Sequence, residues 1–264
     1  MNLTVPDYPS EHPAANALWD KKYLLFLTGI TAVFDGFKAL DIDYFGIFHN
    51  ELRVIIGPNG AGKSTMCDVI TGKTRPTTGT VHFNGEEITR KSEAEIVRSG
   101  IGRKFQTPTV YDSLTVYENM ELSLPGPKGV WTALTARESR SERDRIMTLL
   151  ERVRLLDDVD TEARYLSHGQ RQWLAISSLI LSKPRLLLVD EPAAGLTDSE
   201  TELTGELLLE IKKDHTLIVI EHDMDFVRQL DSRVTVLCEG KSMAEGPLEE
   251  VKANPDVIEA YLGR

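Results

Sequence analysis

The sequence predicts an α/β fold, a parallel β-sheet covered by helices on both faces. Short, almost wholly apolar runs recur at residues 52–56, 186–189, 217–220 and 234–237. A strand with one wet face would alternate apolar with polar residues, so these runs read as strands buried on both faces. Helical stretches separate them, and strands alternating with helices build a parallel sheet.

Taken in order, residues 1–20 carry Pro, Asp, Glu and His without a basic-then-apolar pattern, and read as a flexible tail preceding one domain, 21–264. Residues 24–33 alternate loosely and are rich in strand formers, which predicts an edge strand. The run 52–56 (LRVII) predicts a buried strand, and 63–70 a helix stopped by Gly72, where a left-handed residue is needed. Residues 80–88 predict a hairpin turning at Asn84-Gly85. From about 89 to 165 the pattern turns helical, which predicts an inserted helical subdomain. Within it Ser141 is placed to cap a helix bearing Ile146, Leu149, Leu150 and Val153, after an interruption at Pro125-Gly126-Pro127. Residues 200–213 form a charged amphipathic helix whose closing lysines suit the negative end of the helix dipole.

The chain has 264 residues, 27% of them charged, and a net charge of -11. No lysine- or arginine-rich run tracks a phosphate backbone, which argues against a nucleic-acid partner. The longest apolar stretches fall short of the ~20 residues that span a bilayer. Cys67 and Cys238, each inside an apolar segment, read as buried free thiols in a reducing, cytosolic compartment. Any membrane role then comes through a partner.

Gly57-Pro58-Asn59-Gly60-Ala61-Gly62-Lys63-Ser64-Thr65 fits G-x-x-x-x-G-K-[ST] between a predicted strand and helix. Its glycines let backbone N–H groups converge on phosphate oxygens, and the helix dipole adds positive potential there. Lys63 is placed to reach the β- and γ-phosphates, and the Ser64 hydroxyl to ligate Mg2+. Alone, this motif says nucleotide phosphate without separating a kinase from a GTPase or a transport ATPase. A second half follows at Asp190-Glu191, two carboxylates closing the run LLLV. Asp190 is placed to hold Mg2+ through water, and Glu191 to orient or deprotonate an attacking water.

Leu166-Ser167-His168-Gly169-Gln170 stands before that strand and opens a helix. Here the chain resembles the ABC ATPase family, whose signature is LSGGQ. Read without the family, the segment is a serine N-cap followed by a glycine turn. The resemblance implies a P-loop ABC ATPase with a RecA-like core sheet, an antiparallel β subdomain and the helical insertion. It also implies that Ser167, Gly169 and Gln170 bind the γ-phosphate of ATP held by a second ATPase subunit, identical or different. The same resemblance gives Gln106 as the glutamine that contacts Mg2+ or the attacking water. It gives His222 as the switch histidine, and 194–198, with Asp198, as the loop crossing the dimer interface. Asp198 also suits the N-cap of the next helix. Phe34 is the aromatic expected on adenine, with Phe37 the other candidate. His168 in place of the central glycine is compatible with activity if its φ is negative.

These features point to an importer subunit on the cytoplasmic face of the plasma membrane, with two permease subunits and, indirectly, a solute-binding protein. Segments 101–110 (IGRKFQTPTV), 166–174 (LSHGQRQWL) and 72–76 (GKTRP) resemble the ATPase of urea and short-chain amide importers. Segment 221–227 (EHDMDFV) resembles the branched-chain amino-acid type, the alternative cargo. A soluble single-unit ABC ATPase, such as one serving iron–sulfur assembly, is the other alternative.

Overall fold

The computed structural model describes residues 23–104, 110–124 and 140–262. The expected tail, Gln106 and the Pro125-Gly126-Pro127 interruption lie outside the described residues.

The chain opens with β1 (Tyr23–Phe34), β2 (Phe37–Phe48) and β3 (Leu52–Ile56), then α1 (Lys63–Ile70). There follow β4 (Thr78–Phe83), β5 (Glu86–Glu87), α2 (Glu93–Ser99) and β6 (Ile101–Lys104). Helices α3 (Val116–Glu121), α4 (Arg140–Arg152) and α5 (His168–Leu181) precede β7 (Leu186–Asp190), α6 (Asp198–Ile211) and β8 (Thr216–Ile220). The chain continues through α7 (Met224–Gln229), β9 (Arg233–Cys238), β10 (Lys241–Pro247), α8 (Leu248–Lys252) and α9 (Pro255–Leu262).

The larger sheet runs β10-β9-β3-β8-β7-β6, parallel throughout except for β10. Its strands alternate between two cores. Leu52, Val54, Leu187, Val189, Leu217 and Val219 face a core shared with α3, α4, α5 and α6. Ile55, Leu186, Leu188, Ile218 and Ile220 face a second core closed by α1 and the antiparallel sheet β2-β1-β4-β5. Burial on both faces is why these strands read as unbroken apolar runs. Arg53 is the exception inside β3. Its guanidinium is 1% exposed, bonded to Thr235 at 2.9 Å and paired with Glu245 at 2.8 Å and Glu51 at 2.6 Å. These contacts tie β3 to β9 and β10.

Several expectations change. β1 is not an edge strand: it pairs with β2 on one side and β4 on the other. No expectation covered β2 or β10, although Leu40-Asp41-Ile42-Asp43 carries the period-2 signal of a half-buried strand. β6 lies inside the segment expected to be helical, yet it is the edge of the core sheet, paired with β7. At four residues, with one glycine and two cations, it is too short to show a period. Ser141 is already helical, as the second described residue of α4, and so does not cap it. The hairpin at Asn84-Gly85 is present, with both residues at positive φ, as its tight turn requires. Cys67 and Cys238 are buried and free, and burial pushes the Cys67 thiol up to about 12. No helix of the described residues is long and apolar enough to cross a membrane.

Candidate active site

Parallel register aligns Ile55 with Ile220, and Ile220 with Asp190, so β3, β8 and β7 end at one level. The loop after β3 and the carboxylates at the end of β7 therefore meet at this edge. They line a cavity of about 330 Å³ formed by Phe37, Ala39, Asn59–Thr65, Asp190, Glu191 and Ile220.

The phosphate loop is shaped for an anion. Gly62, the N-cap of α1, sits at φ 99, and a β-carbon there would lie 2.7 Å from Ala39 O. Only glycine fits. Helices α2, α3, α5 and α6 each begin with a capping box: Ser92 with Glu95, Thr115 with Glu118, Ser167 with Gln170, Thr197 with Glu200. α1 has no side-chain cap and no acid in its first turn, so its leading N–H groups face the cavity without an internal anion. Lys63 Nζ donates to Gly57 O at 2.6 Å and Pro58 O at 3.1 Å. Burial lowers the Lys63 pKa, while Glu191 and Asp190 pull the other way.

Asp190 Oδ2 lies 3.3 Å from Arg103 Nη2, and Arg103 Nη1 also bonds Asp68 on α1. Arg103 thus fixes the carboxylate of β7 relative to the phosphate-loop helix. Ser64 and Asp190, both lining the cavity, supply a hydroxyl and a carboxylate oxygen. This is a donor set that suits Mg2+, which binds oxygen and keeps several waters. Glu191 holds φ 44, unusual for a residue with a side chain, and its N–H bonds Ile220 O at 2.9 Å. His222 Nδ1 is 3.8 Å from Glu191 Oε1 and 3.8 Å from Glu221 Oε2.

Glu221 is a site residue that the motifs missed. It is 1% exposed, and accepts from Ala193 N at 2.9 Å, His222 N at 3.0 Å and Asp223 N at 3.4 Å. One buried carboxylate therefore fastens the loop after Glu191 to the loop carrying His222. Burial raises its pKa, against the three backbone donors. Its signal in the sequence was an acid directly after a buried apolar run, the same pattern that marked Asp190. Lys104, at the end of β6, is also buried. Its ammonium has no hydrogen-bond partner among the described residues, and burial lowers its pKa to about 8 despite Asp190, Glu221 and Glu191.

The remaining predicted residues divide. Ser167 and Gly169 stand at the N-terminus of α5, and no residue of 166–170 lines the cavity. Ser167 Oγ accepts from Gln170 N at 3.1 Å. Gln170 turns its own amide to Ser167 N at 2.9 Å and Asp158 at 2.8 Å, so its side chain serves the cap. The serine N-cap of this segment is thus realised, but no glycine turn follows it, since Gly169 lies within α5. His168 is the first helical residue and has no positive φ, so the β-carbon is accommodated. Asp198 does not cap α6: Thr197 does, and Asp198 is the first helical residue. Phe34 and Phe37 are both exposed on the hairpin, at 47% and 66%, but only Phe37 lines the cavity.

A family model described as ABC transporter matches residues 40–194, more than half of the chain. The chain belongs to the ABC transporter family. A second model, branched-chain amino acid ATP-binding cassette transporter, matches residues 243–264 of this ABC ATPase. The ABC chain is 35% identical over 249 residues to the high-affinity branched-chain amino acid transport ATP-binding protein LivG of Escherichia coli, covering 91% of the chain and 98% of that relative. Among solved structures, the ADP conformation of an ATP-binding cassette of an ABC transporter superposes with TM-score 0.79 at 33% identity, over 92% of this chain and 99% of the other. A dimeric cassette in a post-hydrolysis state, bound to ADP and Pi, superposes with TM-score 0.71 at 27% identity, over 85% of this chain and 98% of the other. The chain is an ABC-type ATPase, similar to ATP-binding proteins of branched-chain amino acid transport.

If Glu221 positions the two loops of the ATPase, Glu221→Ala lowers kcat about ten- to a hundredfold while ATP affinity, which rests on the phosphate loop, changes little. Steady-state ATPase kinetics with a separate nucleotide-binding measurement check this. Equal losses in both would contradict it.

Proposed function

We propose that this chain powers import of branched-chain amino acids, pairing with a second ATPase subunit on the cytoplasmic side of two membrane permeases. One observation carries the paired mechanism: the cavity holds the phosphate loop, Asp190 and Glu191, but nothing from 166–170. A nucleotide seated there meets the signature only from another subunit.

In this reading Lys63 and the leading N–H groups of α1 neutralise the β- and γ-phosphates. Ser64 and Asp190 would hold Mg2+, which would supply charge neutralisation when bound. Glu191 orients a water toward the γ-phosphorus and takes its proton, and His222 stands beside it. The water's oxygen bonds to phosphorus as the bond to the β-phosphate oxygen breaks, giving ADP and phosphate. Ser167 and Gly169 of one subunit grip the γ-phosphate held by the other, so hydrolysis weakens the pair. Phe37, on the cavity wall, takes adenine in place of Phe34.

The cargo assignment is supported by the relatives' transport names and the match at residues 243–264. The urea reading drawn from segments 101–110 and 166–174 therefore gives way to its alternative. The same transport names favour a transporter over an iron–sulfur assembly ATPase.

Glu191→Gln lowers turnover at least a hundredfold and leaves an ATP-bound dimer on gel filtration. Turnover at the parent rate would refute the role of Glu191. Reconstituted with branched-chain permeases and their binding protein, the parent chain is stimulated by leucine and not by urea; the reverse would overturn the cargo. Phe37→Ala weakens ATP binding about tenfold, the worth of one stacked base, and Phe34→Ala leaves it near the parent value, as calorimetric titration checks.

A further inference from the structure

The N-terminus of α5 is where the composite site needs a free hydroxyl, yet that hydroxyl is engaged within its own subunit. Ser167 Oγ donates to Glu200 Oε1 at 3.1 Å while accepting from Gln170 N at 3.1 Å. A serine has one proton to donate. The donor that a phosphate oxygen requires is therefore held by a carboxylate.

Glu200 is firmly placed. Its other oxygen, Oε2, accepts from Thr197 N at 3.0 Å and Thr197 Oγ1 at 2.9 Å, in the capping box of α6. Its side chain fills the space beside the Gly169 α-carbon that a larger residue at 169 would claim. The Thr197 hydrogen bonds, then Ser167 and the neighbouring His168, hold the Glu200 carboxyl below its ordinary range, so it is ionised near neutrality. An anionic, oxygen-bearing group from the chain itself thus sits on the serine and glycine expected to grip an anionic, oxygen-bearing ligand. Neither the phosphate loop nor the carboxylates of β7 contribute to this arrangement.

We propose that Glu200 is an internal stand-in for the γ-phosphate at Ser167, so that two subunits close on ATP only when Ser167 exchanges a carboxylate for a phosphate oxygen. The inference rests on the composite-site reading above. It makes Glu200 a positioning residue that sets the nucleotide concentration at which subunits pair. The free energy of closure contains the difference between two charge-assisted hydrogen bonds, together with repulsion between the carboxylate and the incoming triphosphate. Neutralising residue 200 weakens the bond that must break and removes the repulsion. The opposite outcome follows if Glu200 merely orients Ser167 for its ligand, because its loss then weakens pairing.

The test uses the full chain carrying Glu191→Gln, titrated with MgATP, with the dimer fraction read by analytical ultracentrifugation. Glu200→Gln is added because glutamine also serves at this position of a capping box, which preserves the start of α6. The expected result is half-maximal pairing at about three- to tenfold lower ATP, with an unchanged melting temperature. Glu200→Ala, which also loses the cap, is expected to melt lower yet still pair at lower ATP, a combination that structural damage alone does not produce. Pairing at the same or higher ATP in Glu200→Gln overturns the proposal while leaving the composite site intact. Failure of the Glu191→Gln chain itself to pair with ATP overturns the composite site, and this proposal with it.

Discussion

The start of α1 lines the cavity with no side-chain cap at Gly62 and no acid in its first turn. The other long-studied solution to a helix N-terminus, a capping side chain, is used at α2, α3, α5 and α6. α1 departs from it because Gly62 has no side chain and its conformation admits none. The site is left short of negative charge at the loop and, on the lining of the same cavity, supplied with two carboxylates at the end of β7. An anion alone suits the first half and repels the second. A polyphosphate with a divalent cation suits both, which is the physical basis of the MgATP site proposed above.

The fold serves this constraint by fixing where strand ends lie. β3, β8 and β7 are anchored in two cores, so their carboxyl ends cannot shift independently. The loops that leave these ends are then coupled by single buried groups. Arg103 links Asp190 to Asp68 on α1, and Glu221 links the segment after Glu191 to His222. The signature segment is displaced from all of them. It stands at the beginning of α5, a helix about 21 Å long by its rise per residue. Gln172 of that helix bonds the backbone at Pro192, which ties its orientation to the loop after Glu191. The start of α5 is therefore positioned with reference to the carboxylates but outside their cavity.

The central strands, the phosphate loop, Asp190-Glu191 and the helix opened by Ser167 were legible because each is contiguous: the residues that identify it are neighbours in sequence. What was not legible depends on packing between distant segments. β2 mixes outward charges with buried Leu40, Ile42, Phe45 and Ile47, and its role as a cover over the second core appears only with β1 beside it. β6 is too short to carry a period and looked like part of the helical stretch around it. Phe34 and Phe37 are equivalent as letters, and only the hairpin geometry brings one of them to the cavity. Asp198 and Thr197 are both good caps, and the choice between them was settled by Glu200, whose reach back to Thr197 completes the box. The contact from Glu200 to Ser167 joins residues 33 apart, with no pattern to announce it.

The proposed mechanism requires a reaction centre divided between two subunits. Mixing two inactive variants tests it most directly: Lys63→Ala, which spoils the phosphate loop, and Ser167→Arg, which blocks the signature. Each alone is predicted to hydrolyse ATP near background. In a mixed pair, the intact phosphate loop of one faces the intact signature of the other, so the mixture is predicted to recover ATPase activity well above either component. A mixture no more active than its parts, or a Ser167→Arg chain that hydrolyses ATP at the parent rate, would contradict it.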